Sequence, residues 1–219
     1  MAIDKALLED MKKFGTCAVS DACDRLGIPC GLHNIKPVNK GKSICGPAFT
    51  VHYVPCGQVK GTVGDFLDDV QPGEVVVIDN AGRDYCTVWG GMMSYSASVR
   101  KIEGTVIDGV CRDVEVIYER DYAIFTKGTY MVTGKDRVEV DAVNVPVAVS
   151  GIQIKQGDII LGDDTGVLAL PAERFDEVYK ISKEIYEKEE LAVAELVKGK
   201  TLKEARASVA YHNLQTRNK

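Results

Sequence analysis

The sequence predicts an α/β fold, a single domain built on a sheet with parallel strands. The segment GEVVVIDN, residues 73–80, contains a continuous apolar run that is typical of a strand buried on both faces. TVIDG, residues 105–109, is a second such strand, and a helical pattern lies between the two. Because strands alternate with helices here, we expect a parallel sheet with right-handed crossovers.

Four elements are predicted before the first of these strands. They rest on helical apolar spacing, on capping residues and on turn formers, which are dense at residues 31–46. In order, they are a helix at residues 4–13, a helix capped by Ser20-Asp21 and ended by Gly27, a strand at residues 45–54, and a helix at residues 61–70 closed by Pro72-Gly73.

After residue 80 the pattern passes from mixed α/β to mostly β and then to a long charged helix. The GRDYC segment is interpreted as a loop, and residues beyond Gly199 as a short basic tail. The predicted elements are a helix at residues 90–102 with Gly104 as its stop, a helix at residues 112–120, strands in AIFTKG, VEVDAVNVPVAV and GDIILGDDTGVLALP, and a helix from Pro171 to about Lys198.

No repeat or linker divides the chain, so we expect one domain over residues 1–219, with a core at about 15–171 and a helical extension over 172–219. The long helix has apolar positions that suit either the domain itself or a neighbouring subunit. These are Ile181, Ile185, Leu191 and Leu196.

Composition excludes several classes of protein. The net charge is −5 and no basic stripe is present, which argues against nucleic acid as the main ligand. No apolar run approaches the ~18 residues of a membrane span, and no signal-peptide pattern is seen, so we expect a cytoplasmic protein without a membrane partner. The seven cysteines lack C-x-x-C spacing, which disfavours a zinc site or a disulfide framework. We expect most of them to be buried, and Cys111 not to be a nucleophile because no histidine is near it in sequence.

Residues 89–113, WGGMMSYSASVRKIEGTVIDGVCRD, are the most informative segment. They predict a glycine turn, a helix, a strand, and then Arg112-Asp113 where that strand ends. Ligands of open α/β sheets bind at such strand ends, where a helix N-terminus offers free N–H groups to an anion. The Arg112 guanidinium fits a carboxylate, and Asp113 is an oxygen ligand suited to Mg²⁺. The segment therefore predicts a pocket for a small acid beside a divalent metal.

Four segments, spread in order over about residues 18–171, carry a resemblance to a known family. They are VSDACDRLG, ICGPAFTV, WGGMM…GTVIDGVCRD and GDIILGDDTGVLALP. Together they resemble the regulator of ribonuclease activity A-like family, which includes the 4-hydroxy-4-methyl-2-oxoglutarate aldolases. The resemblance implies a single α/β domain of the swivelling β/β/α type, with a mixed sheet and a long C-terminal helix, assembled as a homotrimer or homohexamer.

The resemblance also implies an activity. Aldolase members of the family are class II-type lyases that depend on Mg²⁺ or Mn²⁺ and use no Schiff-base lysine. They cleave small 4-hydroxy-2-oxo acids by a retro-aldol reaction that releases pyruvate, and many decarboxylate oxaloacetate. By this resemblance Asp113 matches the metal ligand, and Arg112 matches the residue that holds the substrate and the leaving oxygen.

Further site residues are carried over from the same family. The backbone N–H groups of Met92 and Met93, after the turn Gly90-Gly91, match the cradle of the substrate carboxylate. Glu189, or its neighbour Glu190, matches an acidic residue that approaches the metal through water from the adjacent subunit. One position departs from the family, because aldolase members often carry an acidic residue where this chain has Gly91. Asp84 in the GRDYC segment is a possible substitute.

The retro-aldol reaction and the decarboxylation require no residues beyond these. Negative charge develops on the 2-oxo oxygen as the enolate forms, and a divalent ion and preorganised N–H donors stabilise it. A water molecule near Asp113 and Arg112 is the best candidate base for the 4-hydroxyl proton.

Two alternatives stay open. The same metal site could catalyse hydration or hydrolysis of another small acid, or the chain could be a non-catalytic protein that binds and regulates a ribonuclease or another partner. Binding-only members of the family tend to lose the acidic half of the Arg-Asp pair, so the intact Asp113 favours catalysis.

The same residues also have plain structural interpretations. Apart from the resemblance, Arg112-Asp113 would be a pair at a helix N-terminus. Other polar residues are given structural roles: Asp163-Asp164 in a tight turn, Asp108 orienting Arg112 or a backbone turn, Asp79 supporting the site from the end of its strand, His33, His52 and His212 in structural or surface positions, and Trp89 as a packing anchor or pocket wall.

Overall fold

The computed structural model describes residues 3–59 and 61–211, and these form ten strands and five α-helices. The strands are β1 (Lys36–Pro37), β2 (Ile44–Pro55), β3 (Val75–Thr87), β4 (Gly104–Cys111), β5 (Ile124–Thr129), β6 (Val138–Val143), β7 (Val147–Val149), β8 (Ile152–Ile154), β9 (Ile159–Gly162) and β10 (Val167–Leu170). The helices are α1 (Lys5–Leu26), α2 (Gly91–Val99), α3 (Val114–Glu119), α4 (Phe175–Val197) and α5 (Leu202–Ser208).

The main sheet has the strand order β1-β5-β4-β3-β2-β9-β10, and β6 pairs with β2. Strands β2, β3, β4 and β5 are parallel to one another, as the alternation of strands and helices predicts. The remaining pairings are antiparallel, and β7 with β8 forms a separate hairpin. The sheet is therefore mixed, with a parallel centre.

The two edges of this sheet approach each other through the segment at residues 30–37. Leu32 N–H donates to the Val167 carbonyl at 2.9 Å beside β10, and Lys36 pairs with Thr126 of β5. One short stretch of chain thus contains the edge strand β1 and contacts the opposite edge strand β10, so the sheet is nearly closed. The expected mixed α/β domain is confirmed.

Strands β3 and β4 are covered on both faces, which is why their sequences are continuous apolar runs. On one face, Val76 and Ile107 pack in a cluster with residues of α2 and α3. On the other, Val77 and Val106 pack against the β7–β8 hairpin. A separate cluster lies between α1, α4 and β9–β10.

Helix α1 occupies the place of two predicted helices. It is interrupted at Gly15, where φ is 79° and ψ is 164°, and Thr16 N–H donates to Asp163 Oδ2 at 2.8 Å. The predicted interruption between the two helices is therefore confirmed. The predicted cap at Ser20-Asp21 is wrong, because those residues lie inside the second half of the helix. Gly27 ends the helix in the left-handed conformation, as predicted.

Three predictions in the centre of the chain need correction. Residues 61–70 form only a 3-10 turn at Asp65–Asp69, since glycine and aspartate are poor helix formers. The GRDYC segment is part of β3 and not a loop. Gly104 begins β4, and a Cβ there would lie 2.8 Å from Ile44 Cγ2.

The stop of α2 is instead a Schellman motif. Lys101, with φ at 59°, takes the left-handed position, its N–H donates to Ser98 O at 3.2 Å, and Ile102 N–H donates to Ala97 O at 3.1 Å. This turn carries the chain directly from α2 into β4.

The C-terminal region follows the prediction as far as the long helix. The segment after Gly199 is not a simple tail, because Thr201 and Glu204 form a capping box that starts α5. His212 lies outside the described residues. Among the helices within residues 3–59 and 61–211, none combines the length and the apolar character that a membrane span requires.

Candidate active site

The Arg112-Asp113 pair follows directly after β4, as the sequence predicts. Arg112 N–H donates to the Trp89 carbonyl at 3.0 Å, which joins the end of β4 to the glycine turn before α2. Asp113 has φ 58° and ψ 47°, a left-handed conformation that aspartate tolerates better than most residues. Its carbonyl accepts the Val116 N–H at 3.0 Å and starts α3. The backbone therefore turns sharply between strand and helix.

The Asp113 side chain does not cap its own helix. Its Oδ2 accepts the N–H of Gly91, the first residue of α2, at 2.8 Å. The carboxylate thus lies at the positive end of the α2 dipole. The N–H groups of Met92 and Met93 follow in the first turn and have no hydrogen-bond partner in the described part of the chain.

The two glycines of the turn allow this close approach. A Cβ at Gly90 would lie 2.8 Å from Asp113 Oδ2 and 3.2 Å from Arg112 Nε. A Cβ at Gly91 would lie 3.2 Å from Val116 Cγ2 and 3.3 Å from Asp113 Oδ2. Position 91 is therefore tightly enclosed by Asp113 and α3.

The guanidinium and the carboxylate of the pair are close but not locked together. Arg112 Nε lies 3.7 Å from Asp113 Oδ2, and the two side chains are 38% and 45% exposed. An exposed ion pair of this kind contributes at most about 1 kcal/mol to stability. A ligand can therefore contact both groups with little loss of stability from the separated ion pair.

A cleft of about 380 Å³ contains the predicted residues Gly90, Gly91, Met92, Met93, Arg112 and Asp113. A second opening, about 440 Å³, lies on the other side of the pair and is lined by Glu115 and by Thr129, Tyr130 and Met131. Arg112 and Asp113 thus separate two spaces that a ligand could occupy.

Five polar residues of the first cleft are not predicted from the sequence: Thr62, Asp65, Thr87, Thr133 and Lys135. The segment carrying Lys135 reaches the cleft because Thr87 N–H donates to the Val132 carbonyl at 2.9 Å. A Cβ at Gly134 would collide with the Thr87 carbonyl, so glycine is required there. The GK dipeptide is the only local signal, and it is too common to have identified a site.

Trp89 is both a packing anchor and a wall of the cleft, the two roles considered for it. It is 2% exposed and stacks on Tyr122 with ring centroids 6.0 Å apart. Its Nε1–H donates to Ser94 Oγ at 2.9 Å, and that hydroxyl donates to the Gly90 carbonyl at 3.1 Å. The indole therefore fixes the glycine turn.

Asp108 and Asp79 serve a different part of the fold from the one expected. Asp108 forms an ion pair with Lys127 and accepts the Ser150 N–H at 3.3 Å, so its expected contact with Arg112 is wrong and its backbone contact is right. Asp79 accepts the Ala148 N–H at 3.2 Å. Both hold the β7–β8 hairpin. Asp84 is exposed and does not line the cleft.

The remaining polar candidates have structural roles. Asp163 accepts the Thr165 N–H at 2.8 Å in the predicted turn between β9 and β10. His52 contacts Asp141 at 3.0 Å, and the described residues contain no cluster of three or more His, Cys, Asp or Glu that could hold a metal. Burial raises the pKa of Cys111 to about 12, which leaves its thiol neutral and unreactive.

Glu189 lies elsewhere in the protomer. With Glu190 it lines an opening between α4, α5 and α1, away from Arg112 and Asp113. Burial, and then the nearby Asp21, raise the pKa of Glu189 above its ordinary value. Of the apolar positions on α4, Ile185 is fully buried in the protomer, whereas Leu191 is 60% exposed. A contribution of Glu189 to the site thus requires a second subunit and stays a prediction.

Residues 16–169 match the model of a family described as RraA-like, Aldolase/RraA. The chain belongs to the RraA-like family. The matched range includes β4, the Arg112-Asp113 pair and the glycine turn, so the resemblance inferred from four short segments is confirmed.

Two curated relatives and one solved structure illustrate the family. Protein DlpA of Legionella pneumophila is 39% identical over 209 residues, which cover 94% of this chain but only 34% of that protein. A Halalkalibacterium halodurans protein named "Putative 4-hydroxy-4-methyl-2-oxoglutarate aldolase" is 30% identical, over 80% of this chain and 81% of its own length. The crystal structure of an uncharacterized protein from Pseudomonas syringae pv. tomato str. DC3000 superposes with a TM-score of 0.87 at 35% identity, covering 94% and 99% of the two chains.

Proposed function

We propose that this RraA-like protein is a divalent-metal-dependent lyase that cleaves a small 4-hydroxy-2-oxo acid, releases pyruvate, and also decarboxylates oxaloacetate. The observation that carries the proposal is the convergence of Asp113, Arg112 and the unpaired N–H groups of Met92 and Met93 on one cleft. The aldolase name of the Halalkalibacterium halodurans relative supports the reaction class.

The residues present fit a hard cation such as Mg²⁺ or Mn²⁺. Mg²⁺ is usually held by one or two carboxylates and completes its shell with substrate oxygens and water. Asp113 offers one half-exposed carboxylate next to the cleft. When bound, the cation would supply Lewis-acid stabilisation of negative charge on a 2-oxo acid.

The hydrogen-bond donors of the cleft suit a substrate that carries a carboxylate and a 2-oxo oxygen. The Met92 and Met93 N–H groups can both donate to a carboxylate at the positive end of α2. The Arg112 guanidinium presents a planar set of donors to the 2-oxo oxygen or to the leaving oxygen. Lys135 adds a second positive charge for a substrate that has a second carboxylate.

The reaction needs a proton removed and negative charge stabilised. As the bond between C3 and C4 breaks, the 4-hydroxyl loses its proton and the electron pair moves toward the 2-oxo oxygen. Preorganised donors aimed at this oxygen contribute about 3–4 kcal/mol of transition-state stabilisation. Arg112 is placed to provide them, and a water molecule beside Asp113 is the proposed base. Protonation at C3 then yields pyruvate.

Release of pyruvate tests the proposal directly. We expect turnover of 4-hydroxy-4-methyl-2-oxoglutarate or oxaloacetate with Mg²⁺, loss of turnover with EDTA, and loss in Asp113→Ala. Asp84→Ala is the matched control, because Asp84 is exposed and outside the cleft. Absence of metal-dependent turnover across a panel of oxo acids would overturn the proposal.

A further inference from the structure

A further cavity, separate from the openings described above, lies at the opposite end of the parallel strands from Arg112 and Asp113. It is lined by residues that precede β3 and β4, among them Gly73 and Glu103, whereas the Arg112 cleft is formed after those strands end. Its volume is about 440 Å³. This is within the range of small-molecule sites, about 300–1,000 Å³.

The inner walls of this cavity are apolar. Leu8, Cys45 and Ile159 line it and are 8%, 3% and 1% exposed. Pro47 and Pro72 complete the same surface. Burial raises the pKa of Cys45 to about 12, so its thiol stays neutral and adds no charge. The interior therefore suits a hydrocarbon group.

The two acidic groups at the mouth share one lysine as their ion-pair partner. Lys12 Nζ lies 2.9 Å from Glu9 Oε1 and 2.5 Å from Glu103 Oε1. Glu103 also accepts the Cys45 N–H at 3.2 Å. These contacts hold both carboxylates of the lining to α1 and β2.

The positive groups at the mouth are not neutralised. Lys5 and Lys101 both line the cavity and are exposed, and neither ammonium has an ion-pair partner in the residues described. Lys101 is held in place by its backbone, since its carbonyl accepts the Gly73 N–H at 3.0 Å. Together with Lys12, the mouth carries three positive and two negative charges, a net charge of +1, above an apolar interior.

We propose that this cavity binds a small amphipathic monocarboxylate, with its hydrocarbon chain against Leu8 and Ile159 and its carboxylate between Lys5 and Lys101. Charge complementarity favours an anion, and the apolar interior disfavours the short polar acids expected in the Arg112 cleft. The site is distinct from that cleft, and the inference does not depend on the lyase activity.

Octanoate is the probe for the test, titrated by calorimetry and by methyl NMR of the full chain. We expect saturable binding, with shifts of the Leu8 and Ile159 methyl signals. Lys5→Gln and Lys101→Gln should each weaken binding by about tenfold, as for the loss of a charged hydrogen-bond donor. Lys13→Gln is the matched control on α1, because Lys13 does not line the cavity. Octanol, which has the chain but no charge, should bind more weakly.

Several results would overturn the inference. If Lys5→Gln and Lys101→Gln bind octanoate as tightly as wild type, or if octanol binds as tightly as octanoate, the cavity has no anion site. Loss of octanoate binding in Arg112→Ala, or competition by oxaloacetate, would place the probe in the other cleft. Dissociation of an oligomer by octanoate would assign this surface to a second copy of the chain. A failure of pyruvate release leaves each of these results intact, so the two proposals fail separately.

Discussion

The N–H of Gly91 donates to Oδ2 of Asp113 at 2.8 Å, joining the first residue of α2 to the residue that begins α3. Strand β4 lies between the two in sequence. Because this bond uses the first N–H of α2, the unpaired donors of the turn are those of Met92 and Met93. The carboxylate and the free amides are therefore positioned by the same contact, and a change at either residue should disturb both.

Replacing Asp113 by Asn tests the charge separately from the contact. The Asn carbonyl can still accept the Gly91 N–H, so we expect the melting temperature to stay close to wild type. Pyruvate release at fixed Mg²⁺ should fall by at least about 100-fold, because changes to the hydrogen-bond partners of metal ligands already cost about 10–100-fold. The measurement is kcat/KM against Mg²⁺ concentration, with Asp164→Asn as the control. Unchanged Mg²⁺ dependence would contradict the role of Asp113.

A methyl group at Gly90 tests the packing of the turn. Its Cβ would lie 2.8 Å from Asp113 Oδ2, closer than real Cβ contacts, so the pair must move. We expect Gly90→Ala to displace the Asp113 carboxylate, to destabilise the protein by about 1 kcal/mol because the hydrogen bond from the Gly91 N–H is lost, and to remove most pyruvate release. Thermal unfolding measures the destabilisation, at about 2–4 °C per kcal/mol for a domain of this size. Gly31→Ala is the control, since nothing lies within 4 Å of a Cβ there. Equal melting temperatures for the two variants would refute the steric argument.

The parts of the fold that the sequence predicts are those encoded locally. The apolar run of β3, the stop at Gly27 and the position of Arg112-Asp113 after β4 all depend on neighbouring residues. Gly104 shows the limit of such reasoning. A glycine after a helix is typical of a helix stop, but this one is required by Ile44, which is distant in sequence. Lys101, a residue with no such signal, takes the left-handed position instead.

The residues of the candidate site also fall into two groups, those predicted from the local sequence and those placed by contacts between distant segments. Residues within the segment 89–113 are predicted because one helix and one strand bring them together. Lys135 is not, because its place depends on the pairing of Thr87 with the segment around Thr133. Asp108 is assigned to Arg112 or a backbone turn by proximity in sequence. The register of β4 with β5 shifts between Ile107 and Val110, however, and the Asp108 carboxylate contacts Lys127 instead of Arg112.

Restoring an acidic residue at position 91 tests the departure from the family pattern. In Gly91→Asp the new carboxylate lies beside Asp113, so we expect Mg²⁺ affinity to rise by about tenfold through a second oxygen ligand. Without metal the variant should be less stable than wild type because like charges repel and the position is enclosed. Calorimetry with Mg²⁺ and thermal unfolding with and without the ion measure both effects. Gly91→Asn, which has the same shape without the charge, is the control, and identical behaviour of the two variants would contradict the prediction.

The stability of the protein should depend on pH through Asp163. Burial tends to raise the pKa of this carboxyl, but hydrogen bonds from Thr16 and Thr165 outweigh it and lower the pKa. The folded state therefore favours the ionised form, and the stabilisation is present above the unfolded pKa of about 4 and is lost as pH falls through the folded value. We expect Asp163→Asn to be less stable than wild type at pH 7, with the difference shrinking in acid. Urea unfolding of both proteins at pH 7 and at a pH below 4 measures this difference in stability. Asp69→Asn, on an exposed turn, is the control. An equal difference at both pH values would show that the charge of Asp163 is not involved.

If the active site combines residues of two subunits, two inactive variants should restore activity when they assemble together. A site within one chain does not allow this. Within one protomer Glu189 lines a different opening from Asp113, so it can assist Asp113 only from a neighbouring copy. Asp113→Ala and Glu189→Ala should each be inactive alone, whereas their co-expression should restore activity. In the mixed oligomer some interfaces combine an intact Asp113 from one chain with an intact Glu189 from the other. Random assembly gives about one quarter of wild-type sites of this kind.

Pyruvate release by the co-purified mixture, with the two variants carrying different tags, measures this restoration. Asp113→Ala mixed with Arg112→Ala is the control, because both changes lie in the same half of the site and no interface gains an intact one. Activity restored equally in both mixtures, or in neither, would show that Glu189 does not complete the site of a partner. Restoration only with Glu189→Ala would place the carboxylate of α4 across a subunit interface, where its exposed neighbour Leu191 would also be covered.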